Sequence, residues 1–231
     1  MEGFQNFNNS QNFDPNSLAS MTSTVIMFIV VNDVSPSIHS YEDTMNTVAR
    51  DVFIQDLKNS HRKNDIVVKA ITFCEKVEHK SGFMPILNVP DDYFDVKNQG
   101  RGTALYDAVS QALEHAISYR KDLEDQGIEV RTAIFISTDG EDNASDRSSL
   151  TKIKTMVEEL RRNEAWANSF TINMLGVGNP SYFEDACDQM TLDHKKCLVT
   201  VGNSAGEIRK QMGVVSQSVS SSSGTAATVN F

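Results

Sequence analysis

The sequence has little cysteine and no place where positive charge gathers. Its three cysteines, Cys74, Cys187 and Cys197, are an odd number, and their spacing fits neither a disulfide framework nor a zinc site. Cys74 lies in the apolar run Ile71-Thr72-Phe73-Cys74 and reads as a small core residue, while Cys187 and Cys197 read as free thiols that could pair in an oxidising compartment. Lys and Arg number 21 against 31 Asp and Glu, a formal net charge of −10, and the basic residues form no cluster. A duplex-binding protein needs a cationic footprint, so nucleic acid is not the expected partner. Long apolar runs are also missing. The one near the start, residues 25–31, follows a segment without any Lys or Arg, Arg50 being the first basic residue. It is too short to span a bilayer and does not have the form of a secretory signal. The expected address is cytoplasmic, with no membrane contact.

What is present is a chain of 231 residues, 39% hydrophobic and 23% charged. That is ample for one α/β domain with a proper core and short for two. Residues 1–22 are rich in Asn, Gln, Ser and Phe without periodicity and predict a flexible arm, with Phe4, Phe7 and Phe13 available to dock. Residues 216–231 carry a serine run and predict a flexible tail, which leaves 23–215 as the folded domain.

Within that domain, strand and helix patterns alternate. Thr24-Val25-Ile26-Met27-Phe28-Ile29-Val30-Val31 is continuously apolar and β-branched, as a parallel strand covered on both faces should be. A helix is predicted over 40–59, a strand over 65–73, and a short strand near 83–88. Too few residues separate those two strands for a helical crossover, so the short one should be antiparallel at an edge. Then follow helix 104–124, strand 130–137, helix 147–163, strand 169–175, a short helix near 181–190, strand 197–201 and helix 204–214. Gly176-Val177-Gly178 lacks the spacing of a dinucleotide fingerprint and reads as a turn. The alternation predicts a doubly wound, mostly parallel sheet with helices on both faces, which binds ligands at the carboxyl ends of its strands.

Three short segments fall at those ends. Asp33-Val34-Ser35-Pro36-Ser37 follows the first strand, Gly102-Thr103-Ala104-Leu105-Tyr106-Asp107 precedes the long middle helix, and Ser137-Thr138-Asp139-Gly140 ends the strand after it. Carboxylate and hydroxyl oxygens suit Mg²⁺, which takes roughly six oxygens at about 2.0–2.1 Å and usually keeps waters. Alternation along an extended segment puts Asp33, Ser35 and Ser37 on one side. Thr103 adds an oxygen from a neighbouring loop and Asp139 a second carboxylate. Asp107 is placed either for a supporting hydrogen bond or as a favourable charge at a helix start. His39 reads as a surface residue, Trp166 as a cap on the core, and Asp142 and Asn143 as residues that shape the third loop or stay exposed.

These segments resemble the metal-ion-dependent adhesion site of von Willebrand factor type A domains, also known as integrin-type inserted domains. The resemblance covers about residues 24–214. It implies a six-stranded sheet, mostly parallel with one antiparallel edge strand. It also implies a Mg²⁺ (or Mn²⁺) ion held by Asp33, Ser35 and Ser37 from the first loop, Thr103 from the second and Asp139 from the third. Pro36 stands where many members have Gly, and Asn32 is polar where the family often has an apolar residue. The run Thr138 to Asn143 is closer to bacterial members than to extracellular animal ones. The expected function is a metal-dependent module, not an enzyme, whose ion accepts an acidic residue of a protein partner. Two alternatives stand beside it. One is a structural part of a larger assembly with a bracing ion. The other is a phosphotransfer or phosphohydrolase enzyme with Asp33 as nucleophile, which would want a second acid where Ser35 stands and has only Arg101 as a nearby cation.

Overall fold

In a computed structural model, which describes residues 12–139, 141–178, 180–201 and 204–221, the first apolar run forms β1 (Thr24–Asp33), buried from residue 25 to its end. The elements follow in the order α1 (Pro15–Ala19), β1, a 3₁₀ turn (Pro36–Ser40) and α2 (Glu42–Val48), which runs through a π-helical stretch (Ala49–Gln55) into α3 (Asp56–Asn59). Next come β2 (Ile66–Phe73), β3 (Val77–His79), β4 (Met84–Pro85), a 3₁₀ turn (Ile86–Asn88), α4 (Leu105–Glu124) and β5 (Glu129–Thr138). The chain closes with α5 (Arg147–Arg162), α6 (Glu164–Ala167), β6 (Phe170–Val177), α7 (Pro180–Gln189), α8 (His194–Cys197), β7 (Leu198–Val201) and α9 (Ala205–Ser220).

The sheet runs β3-β2-β1-β5-β6-β7, and β4 also pairs with β2. Every pairing among β2, β1, β5, β6 and β7 is parallel. The antiparallel edge expected near 83–88 is split into two short pieces on β2. Val77–His79 pairs with its carboxyl end, and only Met84–Pro85 remains of the expected strand before the chain turns into 3₁₀. Gly176 and Val177 belong to β6 and not to a turn. A Cβ on Gly176 would lie 2.3 Å from the Phe183 ring, so the absence of a side chain lets α7 pack on the strand. Gly178, at φ +114°, makes the exit.

Alternation along β1 feeds two cores. Val25, Met27, Ile29 and Val31 join the face covered by α4, α5 and α7, where Ala108, Ala112 and Ala116 let α4 approach closely. Ile26, Phe28 and Val30 join the face covered by the π-helical stretch and α9. There Phe53 meets Phe28 and Phe135 edge-on at 5.0 Å each, contacts worth about 0.5–1.5 kcal/mol apiece beyond their burial. A π-helical stretch shifts the backbone hydrogen bonds by one residue, and the buried Ser216 hydroxyl donates to the Val52 carbonyl at 2.9 Å.

Both expected flexible ends are partly fastened. Of the 1–22 arm, residues 1–11 lie outside the described residues, but Phe13 donates its amide to the Phe83 carbonyl at 2.8 Å. The Tyr119 hydroxyl donates to the Phe13 carbonyl at 2.7 Å, and Leu18 is buried. Of the 216–231 tail, residues 222–231 lie outside the described residues, while 216–220 extend α9 with Ser216 and Val219 buried. The edge beside the arm holds a cluster of nitrogens. Lys69 is 1% exposed and donates from Nζ to the Ser81 carbonyl at 2.6 Å. Burial lowers its pKa to about 8. His79 stacks on His115 at 4.6 Å and shares a 2.8 Å hydrogen bond with Gln111.

Cys74 is buried as expected, and all three cysteines are free. His39 is a surface side chain, 80% exposed. Trp166 packs half-buried on the core, with the Arg120 guanidinium 4.9 Å from its ring.

Candidate metal centre

The carboxyl ends of β1 and β5 lie side by side, with Asn32 paired to Ser137 in parallel register. That pairing sets Asp33 beside Thr138. Asp33 is fully buried, and both its oxygens are engaged: Oδ1 accepts the Ser35 amide at 2.8 Å and Oδ2 the Thr138 hydroxyl at 2.6 Å. Ser35 is extended (ψ 163°), and Pro36 then opens the 3₁₀ turn, so the extended alternation expected through Ser37 stops at Ser35. The Ser37 hydroxyl nonetheless comes within 3.1 Å of the Ser35 hydroxyl and donates to Asp139 Oδ1 at 2.8 Å. Asp33, Ser35, Ser37 and Asp139 are thus linked in one hydrogen-bonded group.

Thr103 makes no hydrogen bond with this group among those of the described residues, and is tied by its backbone to the loop that follows Asp139. Its amide donates to Asn143 Oδ1 at 2.9 Å, and its carbonyl accepts the Asn143 and Ala144 amides at 2.9 and 3.2 Å. The loop that follows Asp139 therefore clasps the loop that carries Thr103. Asp107 does not join the oxygen group. Its Oδ1 accepts the Asp146 amide at 3.0 Å and the Ser149 hydroxyl at 2.6 Å, tying α4 to the start of α5. Asp142 caps the first turn of α4 by accepting the Tyr106 amide at 3.3 Å, satisfying one of the amides a helix start leaves over.

Burial raises the pKa of Asp33, opposed by the Thr138 and Ser35 hydrogen bonds. Burial also raises that of Asp139, opposed by Ser37, and the charge of Asp33 raises it further. Neither carboxylate is in an ion pair among the described residues. Two desolvated acids side by side form an arrangement that a cation would relieve. The Ser37 proton is the positive end that Asp139 finds instead. Among the described residues no three His, Cys, Asp or Glu gather as a metal site. The oxygens here are two carboxylates and a majority of hydroxyls, a donor set that fits a hard dication and not a soft one.

No protein-family model and no curated protein matches the sequence. Solved structures do. The von Willebrand factor type A protein from Catenulispora acidiphila superposes with a TM-score of 0.52 at 12% identity, over 86% of this chain and 43% of that one. The pilus adhesin SpaC from Lactobacillus rhamnosus GG gives 0.60 at 11% identity, over 85% of this chain and 30% of its own. BatB from Bacteroides thetaiotaomicron gives 0.51 at 17% identity, over 83% and 96%. This chain has the von Willebrand factor type A fold. It spans less than half the length of the first two of these structures. Among the described residues, no helix is long and apolar enough to cross a membrane.

Several residues that shape the end of this von Willebrand type A sheet were not singled out by spacing. Thr138 holds Asp33, and its neighbour Asp139 drew the attention in the motif. Asn32 now has a role: its side-chain amide donates to the Phe94 carbonyl at 3.0 Å, and its Oδ1 accepts the Ser137 hydroxyl at 2.7 Å. It thereby stitches β1 to β5 and to the 94 loop directly beneath the oxygen group. A polar residue in an otherwise apolar strand was the available signal.

Proposed function

We propose that this domain is a metal-ion-dependent protein-binding module, with Asp33, Ser35, Ser37, Thr103 and Asp139 holding one Mg²⁺ or Mn²⁺. When bound, the ion would supply an electrophilic position for an acidic side chain of a protein partner. The observation that carries the reading is the Ser35–Ser37–Asp139 hydroxyl and carboxylate chain beside the buried Asp33. Asp33 and Asp139 balance the charge of a dication, and the hydroxyls add donors without adding charge. The same two acids would repel a partner carboxylate when no cation is present, so binding should be switched by the ion. The pilus adhesin among the structural neighbours points the same way.

Phosphotransfer finds less support. Asp33 is buried with both oxygens accepting hydrogen bonds, a poor disposition for a nucleophile. A cytoplasmic setting belongs to the same proposal, as does a domain that extends 23–215 by the fastened residues 13–22 and the end of α9. The test is calorimetric titration of the purified chain with Mg²⁺ and Mn²⁺. One ion should bind, and Asp139→Ala should weaken it at least tenfold, about 1.4 kcal/mol. Equal affinity in parent and variant would remove Asp139 from the site.

A further inference from the structure

The loop after β5 does more than deliver Asp139. Between residues 142 and 146 it turns back along the start of α4 and engages Thr103, Tyr106 and Asp107 there. Thr103 is held from both sides, its amide by Asn143 Oδ1 at 2.9 Å and its carbonyl by the Asn143 and Ala144 amides. One step on, Asp142 takes the Tyr106 amide, and the Ser145 hydroxyl takes the Asp107 amide at 3.0 Å. Asp107 returns the contact by accepting the Asp146 amide. Ala104 stands at the helix cap and makes no side-chain bond there. Among the described residues, side-chain capping of this helix start comes from Asp142 and Ser145 of the neighbouring loop.

Gly102 fits the same clasp. A Cβ there would meet Asn143 Oδ1 at 3.1 Å and the Ala144 Cβ at 3.2 Å. Its φ is not in the left-handed region, since Gly100, Gly127 and Gly178 are the glycines with positive φ among the described residues. What a side chain at 102 would disturb is thus the approach of the two loops, not the local backbone.

We propose that Asn143 is a positioning residue for the metal site. By fixing both backbone groups of Thr103, it sets where the Thr103 hydroxyl stands relative to Asp33 and Asp139. This rests on the metal-binding reading above. It implies that the second and third loops behave as one unit, so that loosening 142–146 weakens the ion without removing any ligand.

The experiment compares Asn143→Ala, Gly102→Ala, Thr103→Ala and the Asn143→Ala/Thr103→Ala pair with the parent, using Mg²⁺ and Mn²⁺ titration. Amide hydrogen exchange of the metal-free proteins is measured alongside. Asn143 is exposed, so its truncation leaves the core intact, and melting temperature checks this. The expected result is at least a threefold loss of affinity for Asn143→Ala and for Gly102→Ala, with faster exchange at the Thr103 amide. In the Thr103→Ala background the Asn143 change should cost less than twofold, because the hydroxyl it positions is gone. A purely structural role would give the same factor in both backgrounds, and that result overturns the proposal. So does unchanged affinity in Asn143→Ala while the parent binds. If the parent binds neither ion, the metal reading itself fails, and the exchange rates then report only on the clasp.

Discussion

Two clusters of titratable groups are drawn out of water in this domain, and they are chemical opposites. At the carboxyl ends of β1 and β5, Asp33 and Asp139 gather with hydroxyls, and burial pushes both acids up. At the β2 edge, Lys69 lies near the stacked His79 and His115, with its Nζ 5.7 Å from the Phe83 centroid. Burial pushes all three bases down, His115 to about 3, and the Lys69 charge lowers both histidines further. The same desolvation penalty acts in each place and drives each group towards neutrality. The surroundings differ. In the nitrogen cluster Lys69 has the Ser81 carbonyl and His79 has Gln111, while His79 Nδ1 is buried without a hydrogen bond. The oxygen cluster sits where connections diverge, and its acids have only hydroxyl and amide donors to offset them. Burial of ionisable groups alone therefore does not mark a site. What sets the oxygen cluster apart is its place at the carboxyl ends of adjacent parallel strands.

The largest test of this contrast is at Lys69. A base whose folded pKa lies below its unfolded value carries a penalty that is present below about pH 8 and is relieved as pH rises towards 10.5. Urea denaturation of the parent should show stability rising across that window by as much as about 3 kcal/mol. In Lys69→Met the rise should be absent; an identical slope would mean that Lys69 is not desolvated in solution. Next in size is the oxygen cluster. Mg²⁺ at about a hundred times its dissociation constant should stabilise the parent by about 2.7 kcal/mol, read as a chelator-reversible increase in melting temperature. His79→Gln should leave that increase intact. Loss of the increase in His79→Gln would mean that the two clusters are coupled and the contrast is false. The smallest effect is acidic. His115 is neutral in the fold, so its contribution is present above the ordinary pKa of 6.5 and is lost as pH falls below it. Because the ring is partly in solvent, the loss between pH 7 and 5 should be on the order of 1 kcal/mol. His115→Gln should flatten it, and equal pH curves would assign acid sensitivity elsewhere.

Much of this architecture was legible because central parallel strands leave an unmistakable trace. The runs that became β1 and β5 need apolar residues on both faces, and no other element of that length does. The placement of the candidate metal loops was legible for a related reason, since polar motifs directly after such runs must lie at the sheet end. What stayed hidden depended on partners distant in sequence. The π-helical stretch is accommodated by Ser216, 164 positions later, and nothing local to residues 49–55 announces it. The serine-rich composition after 215 concealed a helix whose buried side continues as Ile208, Met212, Ser216 and Val219, three or four residues apart where a helix needs them. Asn143 looked like a loop residue because its partner, Thr103, is 40 positions away. The expected alternation through Ser37 failed because Pro36 at the first position of a turn favours 3₁₀ geometry as readily as it favours an extended predecessor.

The fastening of residues 12–22 has a consequence for colloidal behaviour. On its β3 side the sheet ends in two very short strands, and beyond them unpaired amides and carbonyls would invite another chain to add a strand. Asn12 accepts the Phe83 amide at 3.0 Å through its side chain, and Phe13 donates to the Phe83 carbonyl, so both backbone groups of that residue are already taken. Phe83 lies stacked on Tyr119 at 4.6 Å, whose hydroxyl holds the strap in place. The strap thus works as a built-in edge guard. A chain shortened to begin at Thr22 would keep its metal loops yet present a naked rim, and its first failure would be self-association during concentration.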